Sequence, residues 1–228
     1  MEILTWNLFH GRSVPPAGRD LQAQFAAALA GWAWDVALLQ EVPPWWAPAL
    51  ARACDAHART ALTSRNELPA LRRAIAVRAP DLIKSGGGGA NVILVRAATA
   101  RITDHRRVLL RRRPERRVCH AVRLDGGLWC ANLHAQVHSE QRAQADIDRA
   151  AAAARAWAGD DPVLLGGDFN VRVPAASGFA YLGGDGVDHV LGLRVAATGP
   201  LRVLERGRLS DHAPLLLTLP APAPGPAG

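Results

Sequence analysis

The sequence predicts an α/β protein of packed β-sheets flanked by helices. Short apolar runs outnumber helical stretches, and the two kinds do not strictly alternate. Five short polar clusters each sit at the edge of an apolar run: Thr5-Trp6-Asn7, Gln40-Glu41, Asn132-Leu133-His134, Gly167-Asp168-Phe169-Asn170 and Ser210-Asp211-His212. Strands that end in Asn, Glu, His and Asp put those groups on the rim of a sheet, where groups distant in sequence can meet.

Strands are expected at Ile3–Trp6, Val36–Gln40, Ala90–Arg96, Ala100–His105, Val118–Leu124, Leu128–Asn132, Val163–Gly166, Val187–Gly192 and Ala213–Leu219. Each is a brief run rich in Val, Ile and Leu. Helices are expected at Leu21–Ala33, Trp45–His57, Leu68–Arg78 and Glu140–Ala158. The last has Ser139 where an N-cap belongs and Gly159 where the helix should stop. Residues 1–219 are expected to form one domain, and 220–228, made of Pro, Ala and Gly alone, a disordered tail.

A chain of 228 residues with 49% hydrophobic content can bury a substantial core. The formal charge of +7 and pI of about 10.7 favour a polyanionic partner or substrate. Lys84 is the only lysine, so part of that charge reflects an Arg- and Ala-rich composition rather than a function.

Cys54, Cys119 and Cys130 have no metal-binding spacing. A hairpin at Asp125-Gly126-Gly127 sets Leu124 against Leu128 and Cys119 against Leu133, so Cys119 and Cys130 should not pair. Free, mostly buried thiols imply a reducing compartment, and a cytoplasmic location is expected. No basic segment followed by an apolar run opens the sequence, and no uncharged run reaches membrane-spanning length. A monomer is expected.

A carboxylate at the mouth of a buried strand, as at Glu41, is costly unless it is solvated or binds a cation. Asp168 and Asn170, two apart, project to one side if the chain stays extended; the alternative is an Asx turn after Gly166-Gly167. Ser210-Asp211-His212 cannot be a serine relay, because neighbours on a strand point to opposite faces. Asp211 and His212 share a site only if the chain bends. With His134 they supply two imidazoles, which suits phosphodiester hydrolysis: one group takes a proton from water and another stabilises the departing oxygen. Asp188 interrupts an apolar run and needs a partner, for which an imidazole is suited.

Gly86 to Gly89 lack the Gly-Lys-Ser/Thr of a nucleotide loop and read as a turn. Arg106 to Arg117 carries seven arginines, either a grip on a nucleic-acid backbone or an exposed hairpin arm. Trp45 and Trp46 read either as core or as a lip beside Glu41.

From Ile3 to Leu217 the chain resembles the endonuclease/exonuclease/phosphatase family. Leu4-Thr5-Trp6-Asn7 matches its opening strand, and Leu39-Gln40-Glu41-Val42 its Leu-Gln-Glu-Val motif. Ala90-Asn91-Val92-Ile93-Leu94 resembles its middle strand, and Asn132-Leu133-His134 its Asn-Thr-His. Arg142 and Gln144 resemble the polar pair on the following helix. Gly167-Asp168-Phe169-Asn170 and Ser210-Asp211-His212-Ala213-Pro214 match closely and in order.

The resemblance implies a four-layer α/β/β/α sandwich, two mixed sheets face to face with helices on the outside. It implies Mg²⁺, with Mn²⁺ as a substitute. Glu41 would be the principal metal ligand, with Asn7 and Asp211 near the same ion. Asp168 would activate water, and Asn170 would hold a phosphate oxygen. His212, oriented by Asp188, would act as base or transition-state stabiliser, and His134 would contact phosphate or assist the leaving group. Asn132, Arg111 and Arg113 are further expected phosphate contacts. Gly89-Ala90 stands where some members carry a carboxylate supporting the first histidine, and Leu133 replaces a small polar residue. The expected activity is metal-dependent hydrolysis of nucleic-acid phosphodiesters. The alternatives are a phosphoinositide, sphingolipid or small phosphoester as substrate, or a non-catalytic nucleic-acid-binding protein.

Overall fold

The computed structural model describes residues 1–64 and 66–220. Two six-stranded mixed sheets form the centre of the fold. The first contains β1 (Glu2–Asn7), β2 (Val36–Val42), β3 (Ala56–Leu62), β4 (Ala90–Arg96), β11 (Arg202–Val203) and β12 (Leu215–Thr218), in the order β11-β12-β1-β2-β4-β3. The second contains β5 (Ile102–Arg111), β6 (Arg117–Leu124), β7 (Trp129–His134), β8 (Val163–Asp168), β9 (Ala180–Asp185) and β10 (Asp188–Leu193), in the order β5-β6-β7-β8-β10-β9. The helices are α1 (Gln22–Gly31), α2 (Ala47–Ala53), α3 (Pro69–Arg78), α4 (Pro80–Ile83) and α5 (Glu140–Ala158).

Three apolar layers explain the stacking. On β2, Val36 and Leu38 face the opposite sheet, while Ala37 and Leu39 face α1 and α2. Burial of both faces makes such strands continuous apolar runs. Ile3, Val36, Leu38 and Ile93 meet Val122, Cys130, Leu164 and Val190 between the sheets. Beyond the second sheet, α5 presents Ala143, Ile147, Ala150 and Ala154, a helical stripe of mostly small side chains that lets the helix lie close. The Ser139 hydroxyl accepts from the Arg142 N–H at 3.3 Å, and Gly159 ends the helix at φ 57°. This is the four-layer sandwich that the sequence led us to expect.

Some boundaries differ. The helix expected at Trp45–His57 stops at Ala53, and Ala56–Leu62 instead pairs antiparallel with β4. Its Ala and Arg residues are good helix formers, and pairing with the open edge of β4 overrides that preference. The exposed edge strand β9 carries no apolar alternation and was not expected. Within Arg106 to Arg117, residues up to Arg111 continue β5 against β6, so this segment is a hairpin built into the sheet. The Gly-rich stretch is partly a 3-10 turn, Lys84–Gly87.

All three cysteines are buried and free. The β6–β7 register sets Val122 opposite Cys130 and His120 opposite Asn132, while Cys119 faces α5. Apart from Pro220, the expected tail at 220–228 lies outside the described residues.

Candidate active site

Strand ends bring the polar clusters together. β1 and β2 run parallel with Asn7 opposite Gln40, so Asn7 and Glu41 emerge at neighbouring C-terminal ends. In the second sheet, β7 and β8 set His134 opposite Asp168, and β8 and β10 set Asp188 opposite Asp168. Three adjacent strands therefore present His134, Asp168 and Asp188 side by side. Gly167 is required at this point: at φ +141°, a Cβ would overlap the Leu133 carbonyl.

Asn7, Glu41, His134, Asp168, Asn170, Asp211 and His212 line one open pocket. Asp168 is buried at its centre. Its Oδ2 accepts from Asn7 Nδ2 at 2.9 Å and lies 3.5 Å from His134 Nε2 and 3.9 Å from His212 Nε2. Its Oδ1 accepts from the Asn170 N–H at 3.0 Å. Asn170 sits at φ 52°, so the chain turns after Asp168 instead of staying extended. The Asx turn and the shared pocket thus occur together.

The loop before β12 supplies the bend that Asp211 and His212 need, with Ser210 at φ 61°. The Ser210 hydroxyl donates to the Asn7 carbonyl at 2.6 Å and accepts from the His212 N–H at 3.0 Å. His212 Nδ1 lies 2.6 Å from Asp188 Oδ2, which leaves Nε2 facing Asp168.

Burial disfavours charge on Asp168, and neighbouring Asp188 adds to this, so its carboxyl is pushed up to about 7. Burial would depress His212, but its hydrogen bond to Asp188 and the surrounding carboxylates win and raise it to about 9. Burial lowers His134 well below the usual imidazole range, with Arg117 acting in the same direction. Burial alone would raise Glu41; the imidazoles of His10 and His134, with Arg117, hold it below the usual carboxylate range instead.

Two of these neighbours were not foreseen from the sequence. His10 Nε2 lies 3.2 Å from Glu41 Oε2, and its Nδ1 lies 3.2 Å from the Gly88 carbonyl. His10 follows the first strand in a tight turn, with nothing in its local sequence to single it out. Arg117 is buried on the pocket wall and pairs with Glu115 at 2.7 Å. Its signal was its position immediately before the apolar run of β6.

Three expected phosphate contacts need correction. Asn132 is fully buried between the sheets, where its amide donates to the carbonyls of Leu39 and Val92 and accepts from Gln40. Arg111 grips buried Asp146 of α5 at 3.0 Å and does not line the pocket. Arg113 lies in the β5–β6 turn, also off the pocket wall. Arg142 and Gln144 are likewise outside it, and Gln144 bonds Asp148 and the Ala175 carbonyl. Trp46 belongs to the core, with Trp45 packed against it, so neither forms a free lip.

The oxygen-rich donor set suits a hard divalent cation. Glu41, charged and facing the pocket, would hold it, with Asn7 and Asp211 on the same wall. Among the described residues, the ligating atoms of a separate group, Asp168, Asp188 and His212, lie within 4.8 Å of one another. In that group the Asp188–His212 contact supplies internal charge compensation, as His10 does for Glu41.

Fold and pocket define a phosphoesterase-type sandwich. The model of the Endonuclease/Exonuclease/phosphatase family matches residues 4–214, and the chain belongs to that family. Its members are hydrolases acting on phosphoester bonds. A solved endonuclease/exonuclease/phosphatase from Beutenbergia cavernae superposes with TM-score 0.70 at 18% identity, over 96% of this chain and 71% of that one. A Bacteroides thetaiotaomicron mannosyl-6-phosphatase gives 0.68 at 15%, over 96% and 99%. A humanized D. rerio TDP2 gives 0.68 at 15%, over 96% and 98%. At these identities the likeness shows the fold alone. No curated protein matches the sequence.

Proposed function

We propose that the chain is a divalent-metal-dependent phosphodiesterase that cleaves nucleic acid by direct in-line attack of water. The observation that carries this reading is Asp168, at the junction of both sheets, with His134 and the Asp188-backed His212 at its Oδ2. Asp168, titrating near neutrality, takes the proton of the attacking water. The water oxygen bonds to phosphorus as the opposite P–O bond breaks, and the departing oxygen keeps that bond's electron pair and takes up a proton from solvent, with no enzyme-bound intermediate. His212 stays protonated at neutral pH and so acts as a stabiliser of phosphate charge rather than as a base. Asn170 and His134 hold phosphate oxygens. A cation at Glu41, Mg²⁺ with Mn²⁺ as substitute, supplies when bound a Lewis acid and positive charge beside the phosphate.

A polynucleotide is favoured by the pocket's surroundings. Thr63, Ser64 and Glu115 line both the pocket and an adjoining groove carrying Arg112 and Arg116, and Arg107 lies on its continuation. Exposed guanidinium groups there suit phosphates on either side of the scissile one. The second reading, a phosphoinositide, sphingolipid or small phosphoester, is favoured by the exposed leucines Leu68, Leu71 and Leu82, in the segment that leads to pocket-lining Ser85. We take the protein to act as a monomer, in a reducing, cytoplasmic setting that suits its three buried thiols.

The test is hydrolysis of supercoiled plasmid, single-stranded DNA, RNA, an abasic duplex, a phosphoinositide and sphingomyelin, with Mg²⁺, with Mn²⁺ and with EDTA. Metal-dependent cutting of a polynucleotide, lost in Asp168→Ala, is expected. Turnover of only a lipid or inositol ester would replace the nuclease reading with the second one. Silence across the panel would overturn both.

A further inference from the structure

Six of the ten exposed large apolar side chains among the described residues lie between Leu62 and Leu82: Leu62, Leu68, Leu71, Ile75, Val77 and Leu82. Leu68 is 69% exposed, Leu71 57% and Leu82 81%. Such a concentration is unlike the scattered apolar residues of an ordinary surface. No residue of α3 is buried. Leu71 and Ile75, four apart on α3, share one outward face, and Leu68 precedes the helix at φ 52°, also exposed. On the inner side, Ala76, Pro80 and Ile83 line a crevice with His10, Trp45 and Trp46. The arm is therefore seated on the rim of the active-site pocket, which Ser85 and Gly89 help to line.

The charges on this arm are one-sided. Its two acids are engaged: Glu67 lies 3.7 Å from Arg72, and Asp81 accepts from the Gly18 N–H at 2.6 Å. Arg73, Arg78 and Lys84 are exposed and have no ion pair among the described residues; Lys84 stands at the edge of the inner crevice, which Asp20 also lines. The free surface thus combines leucines with uncompensated cations, the composition of an element that lies in a membrane interface.

We propose that residues 67–84 dock the protein onto the surface of an anionic lipid bilayer. Leu68, Leu71 and Leu82 enter the boundary between headgroups and acyl chains, and Arg73, Arg78 and Lys84 meet the anionic headgroups. Charge selects this occupant. A second copy of the chain would bring two net-positive arms together, and a nucleic-acid backbone offers no apolar phase for the leucines. Docking presents the pocket rim to the membrane whichever ester is cleaved, so this inference does not depend on the nuclease reading.

The test is co-sedimentation of the full chain with vesicles of phosphatidylcholine alone and of phosphatidylcholine with phosphatidylserine. Binding to the anionic vesicles only is expected. It should be lost in Leu68→Ser/Leu71→Ser/Leu82→Ser and in Arg73→Glu/Arg78→Glu/Lys84→Glu, with unchanged circular dichroism and unchanged hydrolysis of a soluble substrate. Absence of vesicle binding by the parent protein overturns the proposal. So does binding that survives the leucine changes. A concentration-dependent dimer abolished by the leucine changes, without vesicle binding, would assign the face to a second copy. Vesicle binding by a protein inactive on every phosphoester would leave docking standing and count against the catalytic reading.

Discussion

Gln40 of β2 donates through Nε2 to Asn132 Oδ1 of β7 at 2.8 Å, a side-chain hydrogen bond that crosses from one sheet to the other. The Asn132 amide returns to the first sheet at Leu39 O (2.9 Å) and Val92 O (3.0 Å). Gln40 adjoins Glu41, and Asn132 lies two residues before His134. The bond thus pins the two strands that carry opposite walls of the pocket. Removing one partner leaves buried polar groups unpaired, at a cost of about 1–3 kcal/mol each. We expect Gln40→Ala and Asn132→Ala each to lower stability in denaturant unfolding. A double-mutant cycle should give a coupling of about 1 kcal/mol or more. Additive losses would show that the two amides act independently.

The Asp188–His212 contact leads to a prediction about titration. Asp188→Asn keeps the shape and removes the charge that raises His212 to about 9. The imidazole should then titrate lower, toward the ordinary value of about 6.5, with Asp168 and Asp211 still raising it and burial lowering it. In the parent protein His212 stays charged across neutrality, so a rate that depends on this charge persists there. Relative to the parent protein, the variant should lose rate progressively as pH rises above about 6.5, by up to about 30-fold at pH 8. Histidine NMR titration and a pH–rate profile would check the two halves separately. An unchanged His212 titration would remove Asp188 from the role of positioning residue.

His120 gives a stability prediction away from the catalytic groups. It is fully buried between the sheets with Nδ1 3.1 Å from His105 Nε2, and burial, reinforced by His105, pushes it down to about 3. The unfolded chain binds a proton at about 6.5, whereas the folded one does so only near 3. Between those values the unfolded state holds more protons, so stability is full above about 6.5 and falls as pH drops. The slope at full proton uptake is about 1.4 kcal/mol per pH unit. Urea unfolding between pH 7 and pH 4 should show a shallower decline in His120→Leu than in the parent protein. Equal slopes would exclude a neutral buried imidazole.

The sequence disclosed most of the sandwich because doubly buried strands such as Val36 to Leu39 write themselves as unbroken apolar runs. The helix Glu140–Ala158 was legible at both ends because Ser139 and Gly159 have a local conformational reason to be there. Strand β3 was not, since Ala56-His57-Ala58-Arg59 becomes a strand only through the edge of β4. The pocket shows the same division. Asn7, Glu41, His134, Asp168, Asn170, Asp211 and His212 stand at strand ends or beside them and converge on one cavity. His10 reaches Glu41 through a turn, and Arg117 reaches the pocket through the depth of a hairpin, neither of which is encoded by spacing. Asn132 and Arg111 looked functional because they are polar and well placed in sequence. Their partners are instead structural: Gln40 and backbone across the sheets for one, Asp146 on α5 for the other.

The division of the chain between the sheets has a consequence for assembly. The second sheet is drawn from one uninterrupted stretch, Ile102 to Leu193, whereas the first is completed only when Arg202 to Thr218 returns to β1. Glu41 and His212 belong to the interrupted half, and Asp168 and Asp188 to the continuous one. A partly folded chain with either sheet alone would hold some of these groups but no pocket. Completion of the pocket thus requires the long-range closure of β12 against β1, because His212 stands just before that strand.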